Sequence, residues 1–191
     1  MRFLLIAAGF LFNASVLAQK PCDFNVNVND SIGEYKSTKE YLIYEKNFAG
    51  NAAYIFNSIA VSDGLPTLNV QFIEKSAGFI KAKCLDANSK IFLQLENGKI
   101  VTLLHIQQES CGTMVRDDNS LNNRILTGYF VFKKDDSEYL KTSPVSLMRV
   151  KFATESVDYI IKKDLKAELN GESYLPANYF MDYFHCINES N

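Results

Sequence analysis

The stretch that decides the fold is residues 91–104, which read IFLQLENGKIVTLL. Apolar residues flank Asn97-Gly98, a dipeptide that favours the positive φ angles of a two-residue type I′ turn. Counting outward from this turn predicts four pairs of facing residues, namely Glu96–Lys99, Leu95–Ile100, Leu93–Thr102 and Ile91–Leu104. One face of the ribbon is then apolar, and the second, with Phe92, Val101 and Leu103, is also partly covered. The stretch therefore predicts an antiparallel β-hairpin.

Strand patterns continue on both sides of this hairpin. Short aromatic, β-branched or alternating runs occur at 41–44, 53–56, 68–72, 79–85, 125–132, 145–152 and 157–161. Within 79–85, Ile80, Ala82 and Cys84 share one face, which predicts an inward Cys84. Residues 23–31 predict an edge strand or an extended arm, and residues 107–123 a polar loop.

Helical signals are few. Asp135 and Asp136 can cap a short helix through Leu140 and Lys141, which Pro144 stops. Residues 164–169 predict a helical turn or two.

Pro176 suits the first turn of a C-terminal helix. An apolar stripe follows on one side of that helix, made of Tyr179, Phe180, Tyr183, Phe184 and Ile187. We expect the stripe to pack on the sheet; the alternative is an exposed surface for a partner. The predicted fold class is α+β: a predominantly antiparallel β-sheet or sandwich of about seven to nine strands, with a short central helix and a C-terminal helix.

The first eighteen residues have the pattern of a signal peptide. Arg2 precedes an apolar run, and Val16-Leu17-Ala18 offers a cleavage site. We expect cleavage after Ala18, which leaves 19–191 as a single α+β domain in the periplasm or outside the cell. No later segment has the roughly 20 apolar residues of a membrane-spanning helix, so no transmembrane anchor is expected.

The charge balance excludes some partners. The chain has 20 basic and 22 acidic residues and a net charge of −2. This balance gives no sign of the basic surface that nucleic-acid-binding proteins use. We expect a protein or a small molecule as partner instead.

The four cysteines are Cys22, Cys84, Cys111 and Cys186, an even number in a chain with an export signal. Three pairings are possible, and we favour Cys22–Cys186 together with Cys84–Cys111. A zinc site is the competing hypothesis, but no pair has CxxC spacing. A nucleophilic Cys111 would need a free thiol, which pairing removes.

No motif assigns chemistry to the chain. The patterns GxSxG, GxGxxG, GxxxxGK[ST] and HExxH are absent. His105 and His185 are the only candidates for histidine acid–base catalysis, and a structural role is the commoner one for each. Asp117, Asp118, Asn119, Ser120, Asn122 and Asn123 form an oxygen-rich cluster, which predicts a solvated loop rather than a calcium site. We therefore assign no catalytic residue, metal or cofactor.

The order of parts resembles a group of exported Bacteroidota proteins of unknown function. Those proteins carry an early cysteine, a strand–Asn-Gly–strand hairpin as in residues 93–103, a short Asp-capped helix, a strand such as Leu147-Met148-Arg149-Val150, and a terminal helix ending in cysteine. The resemblance covers roughly residues 68–187. It implies a periplasmic or cell-surface setting and supplies no activity.

Three functions remain open at this stage. The leading hypothesis is an exported, non-enzymatic module that binds a protein or ligand. The first alternative is a hydrolase-like enzyme that uses scattered carboxylates or a histidine. The second is a carrier of an apolar ligand, because the chain has 10 Tyr and 14 Phe but no Trp.

Overall fold

The computed structural model describes residues 20–31, 33–133 and 136–187. The predicted leader Met1–Ala18 lies outside these residues. The strands are β1 (Phe24–Asp30), β2 (Gly33–Thr38), β3 (Tyr41–Phe48), β4 (Asn51–Ser62), β5 (Leu65–Ser76), β6 (Lys90–Leu95), β7 (Ile100–His105), β8 (Thr113–Arg116), β9 (Asn122–Phe132), β10 (Val145–Lys151), β11 (Ser156–Ile160), β12 (Leu165–Lys166) and β13 (Ser173–Tyr174). The α-helices are α1 (Ser137–Leu140) and α2 (Tyr179–Tyr183).

Eleven of the described strands form one antiparallel sheet with the order β1-β2-β4-β5-β9-β7-β6-β10-β11. Strand β3 also pairs with β4, and β8 also pairs with β9. The predicted edge strand at the N-terminus is confirmed, since β1 ends the sheet. The fold is therefore dominated by antiparallel strands, with more of them than the seven to nine expected.

The large sheet curls so that its two halves face each other. The ring of Tyr44 in β3 lies 5.1 Å from the ring of Tyr159 in β11, although the two strands belong to opposite ends of the strand order. Phe72 of β5 contacts Phe152 from the other half at 5.4 Å. These contacts enclose one continuous apolar core between the halves.

The C-terminal segment closes one side of this core. Tyr179, Phe180 and Phe184 are at most 3% exposed, and Phe184 meets Phe132 of β9 edge-to-face at 5.1 Å. The expectation that the aromatic stripe packs on the sheet is confirmed. Instead of one continuous helix, however, α2 is flanked by 3₁₀ turns at Pro176–Asn178 and Phe184–Ile187.

The central hairpin forms, but its predicted register is wrong. The N–H of Leu95 donates to the carbonyl of Lys99 and that of Gly98 to Leu95, which makes a three-residue loop with Gly98 at φ 82°. The observed pairs include Ile91–Leu103, Phe92–Thr102 and Leu93–Val101. This one-residue slip moves Val101 and Leu103 into the core and leaves Ile100 and Leu104 exposed, because side chains alternate between faces.

Three further local predictions need correction. The predicted loop 107–123 contains β8, which pairs with β9. The predicted helical turn at 164–169 is a strand, since β12 pairs with β13 in a separate hairpin. Segment 79–85 lies outside the sheet, apart from one bridge between Leu85 and Ser110.

The short central helix is confirmed as α1, a single turn whose Leu140 is fully buried. Asp136 precedes this helix but makes no capping hydrogen bond through its side chain. Asp135 lies outside the described residues. Burial of Leu140, rather than a side-chain cap, fixes this turn in the structure.

Candidate functional site

His105 is built into the core. It ends β7 and is 7% exposed, its Nδ1 lies 2.9 Å from the carbonyl oxygen of Asp86, and its ring lies 5.3 Å from that of Phe130. Continuing the predicted hairpin register would place His105 opposite Lys90. Instead, Lys90 pairs with Leu104, and His105 pairs with Phe130 of β9. These contacts hold the His105 ring in the core, where its Nε2 has no hydrogen-bond partner among the described residues.

His185 lies at a different place, in the last 3₁₀ turn. Its Nε2 is 3.3 Å from Sγ of Cys22 and 3.7 Å from Sγ of Cys186. Within the described parts of the chain, neither histidine joins two carboxylates in a cluster of close ligand atoms.

Both favoured cysteine pairs are joined in the structure. Cys22 is bonded to Cys186, and Cys84 is bonded to Cys111. In this state Cys111 is not the free thiol that nucleophilic catalysis requires. Two disulfides fit an extracellular or periplasmic protein.

The oxygen-rich loop folds around one carboxylate. Asp117 accepts hydrogen bonds from the N–H groups of Asn119 and Leu121, each at 3.0 Å, and lies 2.5 Å from Nζ of Lys75. The Lys75 hydrogen bond and the Leu121 N–H lower the pKa of Asp117 to about 2. The Asp117 carboxylate thus joins Lys75 to the backbone of this loop.

Two small concavities border the core. The one between β4, β5 and β11 and the one between β3, β10 and the C-terminal segment measure about 20 and 10 Å³. An apolar cargo does not fit in either, because roughly 10–15 Å³ of such volume holds one water. Larger concavities open at the surface.

A surface groove of about 470 Å³ is lined by exposed rings. Six of its lining residues define what we name the lysine–phenylalanine groove: Lys46, Phe48, Lys75, Phe79, Lys81 and Lys83. Phe48 and Phe79 are 75% and 84% exposed, which is unusual for rings of this size. A clustered exposed apolar surface of this kind is typical of a binding site.

Two elements position the phenylalanines. Phe48 ends β3 at a tight turn in which Ala49 and Gly50 have φ of 49° and 76°, so its ring projects from the tip of the β3–β4 hairpin. Phe79 precedes Ile80, which is 7% exposed and anchors the segment in the protein. Because neighbouring side chains of an extended chain point in opposite directions, the burial of Ile80 directs Phe79 outward.

Hydrogen bonds and a disulfide fix the segment that carries Phe79. Asn122 Nδ2 donates to the carbonyl of Gly78 at 2.9 Å, and Arg124 Nε donates to the carbonyl of Ile80 at 3.2 Å. The bond from Cys84 to Cys111 holds the end of the segment. The groove wall is thus tied to β9, and its shape is preorganised.

The charges of the groove are unevenly paired. Lys83 forms an ion pair with Glu74, and Lys75 pairs with Asp117. Lys81 is 76% exposed in its side chain and forms a long ion pair with Glu155, at 4.0 Å. Lys46 is exposed, and no described carboxylate pairs with it. Lys46 is therefore open to an anionic group of a ligand, and Lys81 can exchange its weak partner for such a group.

A second cleft, of about 380 Å³, lies beside Tyr41, Tyr174 and Tyr183. Its rings contact each other, with Tyr41 5.1 Å from Tyr174 and 5.3 Å from Tyr183. Its charges are also paired, since Lys20 lies 2.6 Å from Asp182. This cleft offers fewer free groups than the lysine–phenylalanine groove.

Sequence reasoning missed the groove, although one signal pointed to part of it. The alternation that turns Ile80 inward also places Phe79 on the same face as Lys81 and Lys83. Nothing in the sequence connects this segment with Lys46 and Phe48, which reach the groove only through the pairing of β3, β4 and β5.

Comparison of the chain with protein-family models, curated proteins and solved structures gives no match. Within the described residues, no helix has the length and apolar character needed to cross a membrane. The site's own geometry therefore carries the functional argument.

Proposed function

We propose that this protein is an exported, non-enzymatic binding module whose lysine–phenylalanine groove takes an anionic ligand with an apolar ring or hydrocarbon part. The observation that carries the proposal is the convergence of two exposed rings, Phe48 and Phe79, with two exposed cations in one groove. These cations are Lys46 and Lys81, of which Lys81 has only a long ion pair with Glu155. The volume of about 470 Å³ falls in the range of small-molecule sites, roughly 300–1,000 Å³.

The two features act on different parts of the ligand. Phenylalanine rings exposed to water gain free energy when a ligand covers them. Exposed lysines attract an anion but hold it weakly, because water and salt screen the charge. We therefore expect the apolar part to supply most of the affinity and the lysines to select for negative charge.

The test uses two fluorescent probes that differ mainly in charge. 1-Anilinonaphthalene-8-sulfonate is an aromatic anion, and N-phenyl-1-naphthylamine is its analogue without the sulfonate. Fluorescence titration of the folded wild-type protein should give saturable binding of the anion. Added salt should weaken binding of the anion more than binding of the neutral probe.

Variants separate the two contributions. The double variant Lys46→Gln/Lys81→Gln should bind the anionic probe about fivefold more weakly, because each exposed lysine contributes about 0.5 kcal/mol. Its affinity for the neutral probe should be unchanged. Phe79→Ser should lower the affinity for both probes by about three- to tenfold. Because Phe79 is 84% exposed, its replacement should leave the unfolding midpoint near the wild-type value.

Matched controls lie away from the groove. Lys163→Gln removes a lysine that is 74% exposed in its side chain, and Leu65→Ser removes an apolar side chain that is 54% exposed. Leu65 starts β5, and Lys75 lies ten residues further on, about 33 Å along the strand. Equal weakening by the control variants, or no weakening by the groove variants, would contradict the proposal.

A further inference from the structure

The Cys22–Cys186 bond lies against an imidazole that has the geometry of a third metal ligand. Nε2 of His185 is 3.3 Å from Sγ of Cys22 and 3.7 Å from Sγ of Cys186. In a tetrahedral zinc site, with Zn–S of about 2.3 Å and Zn–N of about 2.0–2.1 Å, neighbouring ligand atoms are about 3.5–3.8 Å apart. Both sulfur–nitrogen separations are therefore close to those of a metal site, and only the two sulfurs would have to move apart.

Contacts other than the disulfide hold the two cysteines near each other. The carbonyl of Asp23, next to Cys22, accepts the N–H of Lys39 at 2.9 Å. Lys20, two residues before Cys22, lies 2.6 Å from Asp182. Cys186 is 1% exposed in a turn that packs on the core. After reduction, these contacts would keep the two thiols beside the imidazole.

His185 turns Nε2 toward both sulfurs. A neutral imidazole that carries its proton on Nδ1 presents Nε2 as the ligand atom. Nδ1 is buried and has no hydrogen-bond partner among the described residues.

We propose that two-electron reduction of the Cys22–Cys186 bond converts this cluster into a site for a borderline-soft divalent cation such as Zn²⁺, ligated by Cys22, Cys186 and His185. A dithiol reductant transfers two electrons and two protons to the disulfide and becomes a cyclic disulfide, leaving two cysteine thiols. The cation then binds the two sulfurs and Nε2 and displaces both thiol protons to solvent. The metal replaces the disulfide as the cross-link between the N-terminal strand and the C-terminal segment.

The second disulfide is a control within the same chain. Cys84 and Cys111 cluster with the carboxylate of Glu109, which is exposed, and with no imidazole among the described residues. The two clusters therefore share two sulfurs and differ in the third ligand. If the metal ion binds the Cys22, Cys186 and His185 cluster more tightly than the Cys84, Cys111 and Glu109 cluster, the difference shows the contribution of His185.

The experiment uses Co²⁺ as a spectroscopic substitute for Zn²⁺. The Cys84→Ser/Cys111→Ser variant is reduced with tris(2-carboxyethyl)phosphine, freed of reductant under argon and titrated with Co²⁺. We expect one equivalent to produce a thiolate-to-cobalt charge-transfer band and the visible bands of tetrahedral Co²⁺, both displaced by Zn²⁺. The oxidised variant should show neither band.

His185→Ala in the same background should weaken Co²⁺ binding more than about tenfold, since even outer-shell partners of metal ligands contribute 10–100-fold. The Cys22→Ser/Cys186→Ser variant should give no tetrahedral spectrum. An absent charge-transfer band, a band unchanged by His185→Ala, or an equal band from the Cys84–Cys111 cluster would overturn the proposal.

Circular dichroism checks that the reduced variant keeps its β-sheet. If that variant unfolds, the titration is read on wild-type protein reduced only at Cys22–Cys186, which keeps the Cys84–Cys111 bond, with and without His185→Ala. There, a tetrahedral spectrum that depends on His185 supports the site, and one that does not depend on it overturns it.

Discussion

Glu45 of β3 and Leu169, which follows β12, are joined by a hydrogen bond: Oε1 of Glu45 accepts the N–H of Leu169 at 3.0 Å. Its other carboxylate oxygen accepts the N–H of Glu168 at 2.8 Å, and Asn47 Nδ2 donates to Oε1 at 3.1 Å. Glu45 is only 8% exposed. A buried carboxylate satisfied by N–H donors thus fastens the small β12–β13 hairpin to the large sheet.

Replacing this carboxylate should destabilise the protein. Glu45→Ala leaves two backbone N–H groups without their acceptor, which costs about 1.5–3 kcal/mol of unfolding free energy. Glu45→Gln keeps one acceptor and should lose less. Urea denaturation followed by circular dichroism measures both, with Glu109→Ala at an exposed position as the control. Equal stability of all three variants would contradict the fastening role.

The pKa of Asp117 predicts a pH dependence. The hydrogen bond from Lys75, followed by the N–H of Leu121, lowers it from 3.8 to about 2. Because the folded-state pKa lies below the unfolded one, the native state takes up this proton less readily. The stabilisation is therefore present above the unfolded pKa and is lost as the pH falls from about 4 toward about 2.

Asp117→Asn should flatten the dependence of the urea midpoint on pH in that acidic window. Asp118→Asn, at the exposed neighbouring position, should leave the wild-type slope in place. A chemical-shift titration of the Asp117 carboxyl carbon gives an independent reading of its pKa. A pKa close to 3.8 in the folded protein would contradict the assigned contacts.

Two glycines with positive φ should differ in their tolerance of a side chain. At Gly98 (φ 82°) an added Cβ meets nothing within 4 Å, whereas at Gly112 (φ 69°) it would lie 2.4 Å from the carbonyl oxygen of Ile125. Gly98→Ala should cost about 1–2 kcal/mol from left-handed backbone strain alone. Gly112→Ala should cost clearly more, because backbone must also shift. Chemical denaturation ranks the pair, and an equal loss would be inconsistent with the close approach of β9.

The two disulfides should contribute unequally to stability. They close loops with sequence separations of 164 and 27 residues. In the chain-entropy model these correspond to about 5 and about 3.5 kcal/mol. Paired serine substitutions at each bridge, compared by urea denaturation, should show the larger loss for Cys22–Cys186. The reverse order would mean that contacts of the N-terminal strand, such as Lys20–Asp182, replace much of its constraint.

In the hairpin at 91–104, the local sequence pattern predicts the two strands but not how their residues pair. Both candidate registers bury apolar residues of the second strand, either Ile100 and Leu104 or Val101 and Leu103. Pairing of β7 with β9 selects the second register, since Leu103 pairs with Phe132 and His105 with Phe130. Local alternation predicted the hairpin correctly, but its register depended on a strand about thirty residues away.

Dependence on pairing with distant strands also explains why the sequence did not predict β8, β12 and β13. Strands β12 and β13 are two residues each, too short for a periodic pattern to distinguish from a helical turn. β8 is exposed along its whole length and has no buried face, so it lacks the alternation that predicts a strand. Long-range pairing defines these elements.

By itself, the sequence predicted the antiparallel character and the aromatic stripe of the C-terminal segment, because both leave a local mark in periodicity or residue type. The tertiary structure decided which of the three possible cysteine pairings forms and that the N-terminal segment is an edge strand. Only the tertiary structure decided the register of the central hairpin and the enclosure of His105. It alone brought Phe48 to Phe79 and His185 to Cys22, since these residues meet through strand pairing and chain closure. Local physics thus specifies what each segment prefers, and packing against distant segments decides which surfaces and side chains come together.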